Sequence, residues 1–217
     1  KIYDRSDKDI NEIYDAGKKL SMRAFDVVYE KLGTAFDFFF FESDVAKGGV
    51  DLVKKHIGDV FEISDGAMVF KGERYDPALH TRVFLNSQGL PTYEAKELGL
   101  AKKKEETYPF DLSLSITGNE IKEYFKVLQK AMEFVIPELK GKIIHVPHGM
   151  LRMQGGKMSS RKGNVITGEE LIGKVKEMVE EKIKDMGFDK EESEKVAETV
   201  AIGAIKYSIL RQAIGGD

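Results

Sequence analysis

The stretch Gly155-Gly156-Lys157-Met158-Ser159-Ser160-Arg161-Lys162-Gly163-Asn164 crowds glycines, hydroxyls and cations together without a single acid. Between Leu151 and Val165 the charged residues are Arg152, Lys157, Arg161 and Lys162, all positive, in a chain whose net charge is −3. Glycine permits backbone conformations and close approaches that a Cβ blocks. Ser159 and Ser160 can donate through their hydroxyls, and Lys157 supplies a mobile point charge. Together these groups suit a polyphosphate. A solvated basic hairpin loop has the same composition, and the residue types alone leave both readings open.

The order of the residues narrows the choice. Lys157-Met158-Ser159-Ser160, followed by Arg161-Lys162-Gly163-Asn164-Val165-Ile166-Thr167, resembles the signature loop of class I aminoacyl-tRNA synthetases, written Lys-Met-Ser-Lys-Ser. Ser160 stands at the place of the second lysine, so that charge has to come from Arg161 or Lys162 or be absent. In that family the loop closes over ATP and stabilises pyrophosphate as the amino acid attacks the α-phosphate. The resemblance therefore implies catalytic roles for Lys157, Ser159, Ser160, Arg161 and Lys162, with Lys157 also touching ATP.

Three further stretches resemble arginyl-tRNA synthetase. Thr81 to Leu100 looks like the segment in which a tyrosine and, four residues on, an acid bind arginine; those places are Tyr93 and Glu97, where many members carry aspartate at the second. The chemistry is independently sound, because a guanidinium seeks a carboxylate and tolerates an aromatic face, and residues four apart share a helical face. Spacing alone favours an ordinary surface i, i+4 pair; the match of the surrounding residues favours the site. Thr117-Gly118-Asn119-Glu120-Ile121 resembles a Gly-Ala-Glu-Gln-like turn that contacts ATP; Gly118 and Glu120 match, and Ile121 replaces the glutamine. Glu120 also suits the first turn of a helix for purely electrostatic reasons. His145-Val146-Pro147-His148-Gly149-Met150-Leu151 resembles the strand end that receives adenine, which implies ATP contacts from His145, His148, Met150 and Leu151; both histidines equally suit packing. His145-Val146-Pro147-His148 is not the other class I signature, His-Ile-Gly-His, because proline replaces its glycine and the motif belongs far upstream. That signature is absent from this sequence.

Elements able to position these groups can be read from periodicity. Apolar residues between Ile10 and Leu32 form a helical stripe, with Gly33 as its stop. Phe36 and Phe38 to Phe41 read as a buried strand. Gly48-Gly49 then precedes a short helix, and Ser64-Asp65-Gly66 joins the arms of a hairpin. Arg82 to Leu85 reads as a strand, Ser87 to Pro91 as a turn, and a helix starts at Tyr93. Leu112 to Thr117 alternates apolar and hydroxyl residues, as a strand with one buried face does. A helix carrying Ile121, Tyr124, Phe125, Leu128, Met132, Val135 and Ile136 follows, then a strand over 142–146. That is a βαβ unit with parallel strands, whose ligands sit at the carboxyl ends. Thr167 with Glu170 forms a capping box for a helix that Gly187 ends, and another helix begins near Asp189.

The 217 residues are 41% apolar, enough to bury a core. No apolar run approaches the roughly 18 residues of a membrane span, and no leader opens the chain. Zero cysteines and four scattered histidines give no protein-held metal cluster. The expected fold class is α/β: the second half of a Rossmann-like class I synthetase nucleotide-binding fold, with an α+β insertion before it and the start of a helical bundle after it. The expected domains are residues 1–78, an inserted α+β region; 79–166, the Rossmann-like half with its loop at 155–164; and 167–217, a helical connection toward an anticodon-binding domain. The chain opens on Lys1, and the resemblance implies a fragment of an arginine–tRNA ligase, inactive alone. Its implied partners are arginine, ATP and tRNA(Arg), with Mg²⁺ arriving on ATP and not in a protein site. A cytoplasmic monomer is expected, with no membrane association. Another class I synthetase, such as the class I lysine enzyme, and a non-catalytic nucleotide- or RNA-binding module are the competing readings.

Overall fold

Asp7, Thr167 and Asp189 each open a helix by accepting an otherwise orphaned N–H on a short oxygen-bearing side chain. In this computed structural model, which describes residues 5–149 and 166–211, Asp7 precedes α1 (Lys8–Lys31) and accepts from Ile10 N at 3.2 Å. Thr167 precedes α5 (Gly168–Ile183) in the expected capping box, with Thr167 Oγ1 accepting from Glu170 N at 3.1 Å and Glu170 Oε2 accepting from Thr167 N at 2.9 Å. Asp189 and Glu192 repeat the arrangement at the start of α6 (Lys190–Leu210). Gly33 follows the C-cap of α1 at φ +61°, as expected, whereas α5 already stops at Ile183, a turn before Gly187 at φ +79°; glycine adopts both angles without a steric penalty. These three helices belong to one compact unit, and residues 38–149 to a second.

The second unit holds the candidate site. It begins with α2 (Glu42–Lys55), then the hairpin of β1 (Glu62–Ser64) and β2 (Ala67–Lys71), whose Asp65-Gly66 turn has both residues at positive φ. β3 (Thr81–Leu85) pairs antiparallel with β2, so residues 62–85 form one sheet in the order β1-β2-β3. The expected domain boundary after residue 78 falls inside that sheet. Next come α3 (Tyr93–Thr107), β4 (Ser113–Gly118), α4 (Lys122–Val135) and β5 (Ile143–His148). β4 and β5 pair in parallel, as the βαβ pattern requires. α4 buries Phe125, Val127, Leu128, Ala131 and Val135 in a core shared with Phe61, Phe70, Phe84 and Leu98.

Two expectations are corrected. Phe38 to Phe41 form no strand, and Phe36, Phe38 and Phe39 are exposed. Strand preference reflects packing on a pleated, half-buried surface more than backbone preference, and no neighbouring strand pairs with this run among the described residues. Its rings find other rings instead, Phe36 meeting Tyr29 edge-on at 4.8 Å and Phe38 lying 6.0 Å from Tyr108. Second, α2 starts at Glu42, with the Asp44 carboxylate accepting Phe41 N at 3.4 Å, and runs through Gly48-Gly49 instead of starting after them. β4 buries one face, as the alternation requires, and it is the hydroxyl face. Ser113 is 7% exposed while Leu114 and Ile116 are 54% and 67% exposed.

The glycines inside α2 and α3 explain the second correction. A Cβ on Gly49 would lie 1.9 Å from Ala95 O, and one on Gly99 would lie 2.2 Å from Val45 O, so the two helices cross backbone to backbone. That crossing sets the axis of α3, the helix that carries Tyr93 and Glu97.

Candidate active site

α3 is fixed at its first residue by the turn before it. Asn86 Oδ1 accepts from Gln88 N at 3.0 Å and Leu90 N at 2.9 Å, and Gly89 takes φ +75°. Thr92 Oγ1 then donates to the carbonyls of Val83 (2.8 Å) and Phe84 (2.9 Å), tying the helix start to the end of β3.

Tyr93 and Glu97 occupy successive turns of α3 with unequal surroundings. Tyr93 is 69% exposed, with Lys96 Nζ 5.5 Å from its ring centroid. Glu97 is partly buried, and among the described residues it makes no ion pair within hydrogen-bonding reach. Burial pushes its carboxyl above the usual range; Lys104 opposes that shift and Glu42 adds to it. A partly desolvated carboxylate beside an accessible aromatic face is chemically suited to a cation that brings its own donors.

The neighbouring charges are held elsewhere. Glu94 is 7% exposed and faces Arg82, whose Nε lies 3.2 Å from Glu94 Oε1. The Arg82 guanidinium carbon sits 5.1 Å from the Tyr124 ring centroid, while its buried Nε has no aligned acceptor among the described residues. Tyr124, on the first turn of α4, has its phenol raised by burial and then by Glu97 and Glu94. Arg82, Glu94, Lys104 and Tyr124 were not singled out as site residues by sequence reasoning. For Lys104 a signal existed, since it follows Glu97 by two helical turns on the same face.

At the carboxyl ends of the parallel strands, Gly118 pairs with His148 and Thr117 with Pro147. Gly118 has an ordinary extended backbone, and the Glu120 carboxylate folds back over it: a Cβ there would lie 2.3 Å from Glu120 Oε2, so that side chain would have to move aside. Glu120 belongs to a single 3₁₀ turn leading into α4, near the positive end of that helix. His145 stacks on Phe125 at 4.2 Å, and its Nε2 lies 2.8 Å from Thr117 Oγ1. Burial and then Lys122 lower its pKa, favouring the neutral ring. These contacts engage His145 in strand-to-helix packing. His148 Nδ1 donates to Gly149 O at 2.8 Å and the residue is exposed at the strand end. The structure thus brings Gly118, Glu120 and His148 to the carboxyl end of the parallel strands, while Tyr93 and Glu97 lie on α3. Lys157, Ser159, Ser160, Arg161, Lys162, Met150 and Leu151 lie outside the described residues.

A parallel βαβ unit with candidate ligand groups at its strand ends defines an α/β catalytic domain of the Rossmann-like kind. The family model described as tRNA synthetases class I (R), catalytic domain, matches residues 3–214, and the chain belongs to that family. The arginine–tRNA ligase of Borreliella burgdorferi is 28% identical over 223 residues, covering 100% of this chain and 38% of the relative. That of Amoebophilus asiaticus is 30% identical over 193 residues, covering 86% of this chain and 32% of the relative. The crystal structure of arginyl-tRNA synthetase from Plasmodium falciparum matches with TM-score 0.75 at 16% identity, covering 96% of this chain and 35% of that one. A putative arginyl-tRNA synthetase from Campylobacter jejuni matches with TM-score 0.56 at 14% identity, covering 95% of this chain and 59% of that one. At such identity the two structures establish the fold. The chain spans little more than a third of the length of the curated relatives it matches. No helix among the described residues is long and apolar enough to cross a membrane.

Proposed function

We propose that this chain is the part of an ATP-dependent arginine–tRNA ligase that receives the arginine side chain and carries the pyrophosphate-facing loop. The observation that carries the reading is Glu97, a partly buried carboxylate without an ion-pair partner among the described residues, one helical turn after an exposed tyrosine on a helix anchored to β3. A guanidinium placed there gains charge-assisted hydrogen bonds from the acid and a face contact from Tyr93. Gly118, Glu120 and His148 at the strand edge contribute to the ATP site, with His145 supporting it from behind through Thr117 and Phe125.

In this reading arginine's carboxylate attacks the α-phosphate of ATP, pyrophosphate leaves, and the arginyl group passes from the adenylate to tRNA(Arg). Mg²⁺ arrives with ATP. Lys157 engages the β- and γ-phosphates as charge grows on them, which lowers the barrier only if the contact is stronger in the transition state than in the ground state. Arg161 or Lys162 supplies the second cation. The helices from residue 167 onward serve as the connection toward an anticodon-binding domain of a cytoplasmic, monomeric enzyme. The His-Ile-Gly-His signature is supplied by sequence outside this chain, so the isolated chain binds ATP weakly and forms no adenylate.

Pyrophosphate exchange by the intact ligase, with tRNA present, tests the substrate. Exchange that depends on arginine and not on lysine supports the reading; exchange driven by lysine identifies the other class I enzyme and refutes it. No exchange with any amino acid would favour a binding module.

A further inference from the structure

We propose that Lys104 is a positioning residue for the site formed by Tyr93 and Glu97: its ammonium, tethered to Ser113 on β4, is the fixed internal counter-ion of the Glu97 carboxylate. The role it serves rests on the reading of Glu97 as a guanidinium acceptor; the charge relationship stands apart from that reading.

Residues 97 and 104 lie two turns apart on one face of α3, and helical side chains lean toward the N-terminus, which carries the Lys104 stem back toward Glu97. Both line one small cavity of about 20 Å³, together with Ser115, Phe125 and Ile143. Lys104 Nζ donates to Ser113 Oγ at 2.6 Å and lies 5.8 Å from the Phe110 ring centroid. Ser113 is itself buried, and its backbone N–H is held by Lys142 O at 2.8 Å, so the tether has a rigid anchor. The nearby cations are committed otherwise, Lys96 to Glu42 at 2.6 Å and Arg82 to Glu94.

This arrangement answers two competing demands on an acid awaiting a cationic substrate. Without a counter-ion, a partly buried carboxylate takes up a proton. With a direct lysine contact, its oxygens would be occupied and a bidentate guanidinium would have to displace the lysine. Lys104 held on Ser113 supplies the field without taking the oxygens, and among the described residues Glu97 and Lys104 form no direct ion pair. The groups acting on Glu97 from the packed elements are Lys104 on α3 itself, Glu42 from α2 and Tyr124 from α4; β4 presents the hydroxyls of Ser113 and Ser115. Burial lowers the pKa of Lys104 and Glu97 opposes this, the reciprocal of the effect on Glu97.

The test is the titration of the Glu97 carboxyl, followed by carbon NMR in the 217-residue chain and assigned with Glu97→Gln. Lys104→Met should move the midpoint to higher pH, Ser113→Ala should move it the same way by less, and Lys104→Arg should leave it near the wild-type value. A wild-type midpoint in Lys104→Met overturns the proposal, and where that variant does not fold a wild-type midpoint in Ser113→Ala does so. In the intact ligase, Lys104→Met should raise the arginine KM about tenfold below the Glu97 midpoint, a magnitude within the range of directly coupled neighbours, and converge with wild type at higher pH. Lys104→Arg should restore it. An arginine KM indifferent to Glu97→Gln refutes the guanidinium assignment and leaves the titration result standing.

Discussion

Gly48 and Gly49 are neighbours inside α2, yet replacing each with alanine should change stability in opposite directions. Both sit in a helix interior, where glycine costs roughly 1 kcal/mol relative to alanine. At Gly48 a new Cβ meets nothing within 4 Å, so Gly48→Ala should realise most of that gain, about 0.4–1 kcal/mol. At Gly49 the same atom would lie 1.9 Å from Ala95 O and 2.6 Å from Ala95 C, and the obstacle is backbone that cannot rotate away. Relieving the contact means separating α2 from α3, and overpacking of this kind costs about 1–3 kcal/mol. Net of the helix gain, Gly49→Ala should lose from roughly nothing to 2 kcal/mol, leaving it about 1–3 kcal/mol less stable than Gly48→Ala. Urea midpoints read at constant slope measure the difference. Because the crossing sets the direction of α3, Gly49→Ala in the intact ligase should also raise the arginine KM, whereas Gly48→Ala should not. Equal stabilisation by both substitutions would show that the helices do not meet through these glycines, and the account of how α3 is positioned would fail.

Glu97→Gln in the intact ligase should raise the arginine KM by the equivalent of about 1.5–3 kcal/mol, one charge-assisted hydrogen bond, with the ATP KM nearly unchanged; equal effects on both substrates would contradict the assignment. The same substitution should affect stability with a definite sign. Glu97's folded pKa lies above its ordinary 4.5, so its favourable contribution is complete below 4.5 and is lost as pH rises through the folded value. Urea midpoints should therefore show Glu97→Gln gaining on wild type toward neutrality, and a gap that widens on acidification would reverse the argument. Lys157→Ala should lower the activation rate by about 10² to 10³, the usual effect of removing a donor aimed at developing charge, with little change in KM for ATP or arginine. A higher ATP KM with intact kcat would make the loop a ground-state clamp. Arg161→Ala or Lys162→Ala should give a smaller rate defect.

Features determined by near neighbours were legible in the sequence alone. α1 and its Gly33 stop, the Asp65-Gly66 hairpin, the capping box at Thr167, the helix start near Asp189 and the βαβ unit around α4 each follow from residues within a few positions of one another. Tyr93 and Glu97 could likewise be paired by helical spacing. Tertiary structure decided what depends on a distant partner. The phenylalanine run had strand composition and no strand beside it, and the glycine pair in α2 became interpretable only when α3 was seen crossing it at Gly99. β4 shows the limit most clearly, because alternation fixes that its two faces differ without fixing which is buried. Ser113 and Thr117 turn inward because Lys104 and His145 are there to bond their hydroxyls, and burying a polar group is tolerable when its hydrogen bond is made. The charge relationships of the site have the same origin: Arg82 reaches Glu94, and Lys104 reaches its anchor Ser113, only after the sheet and helices have packed.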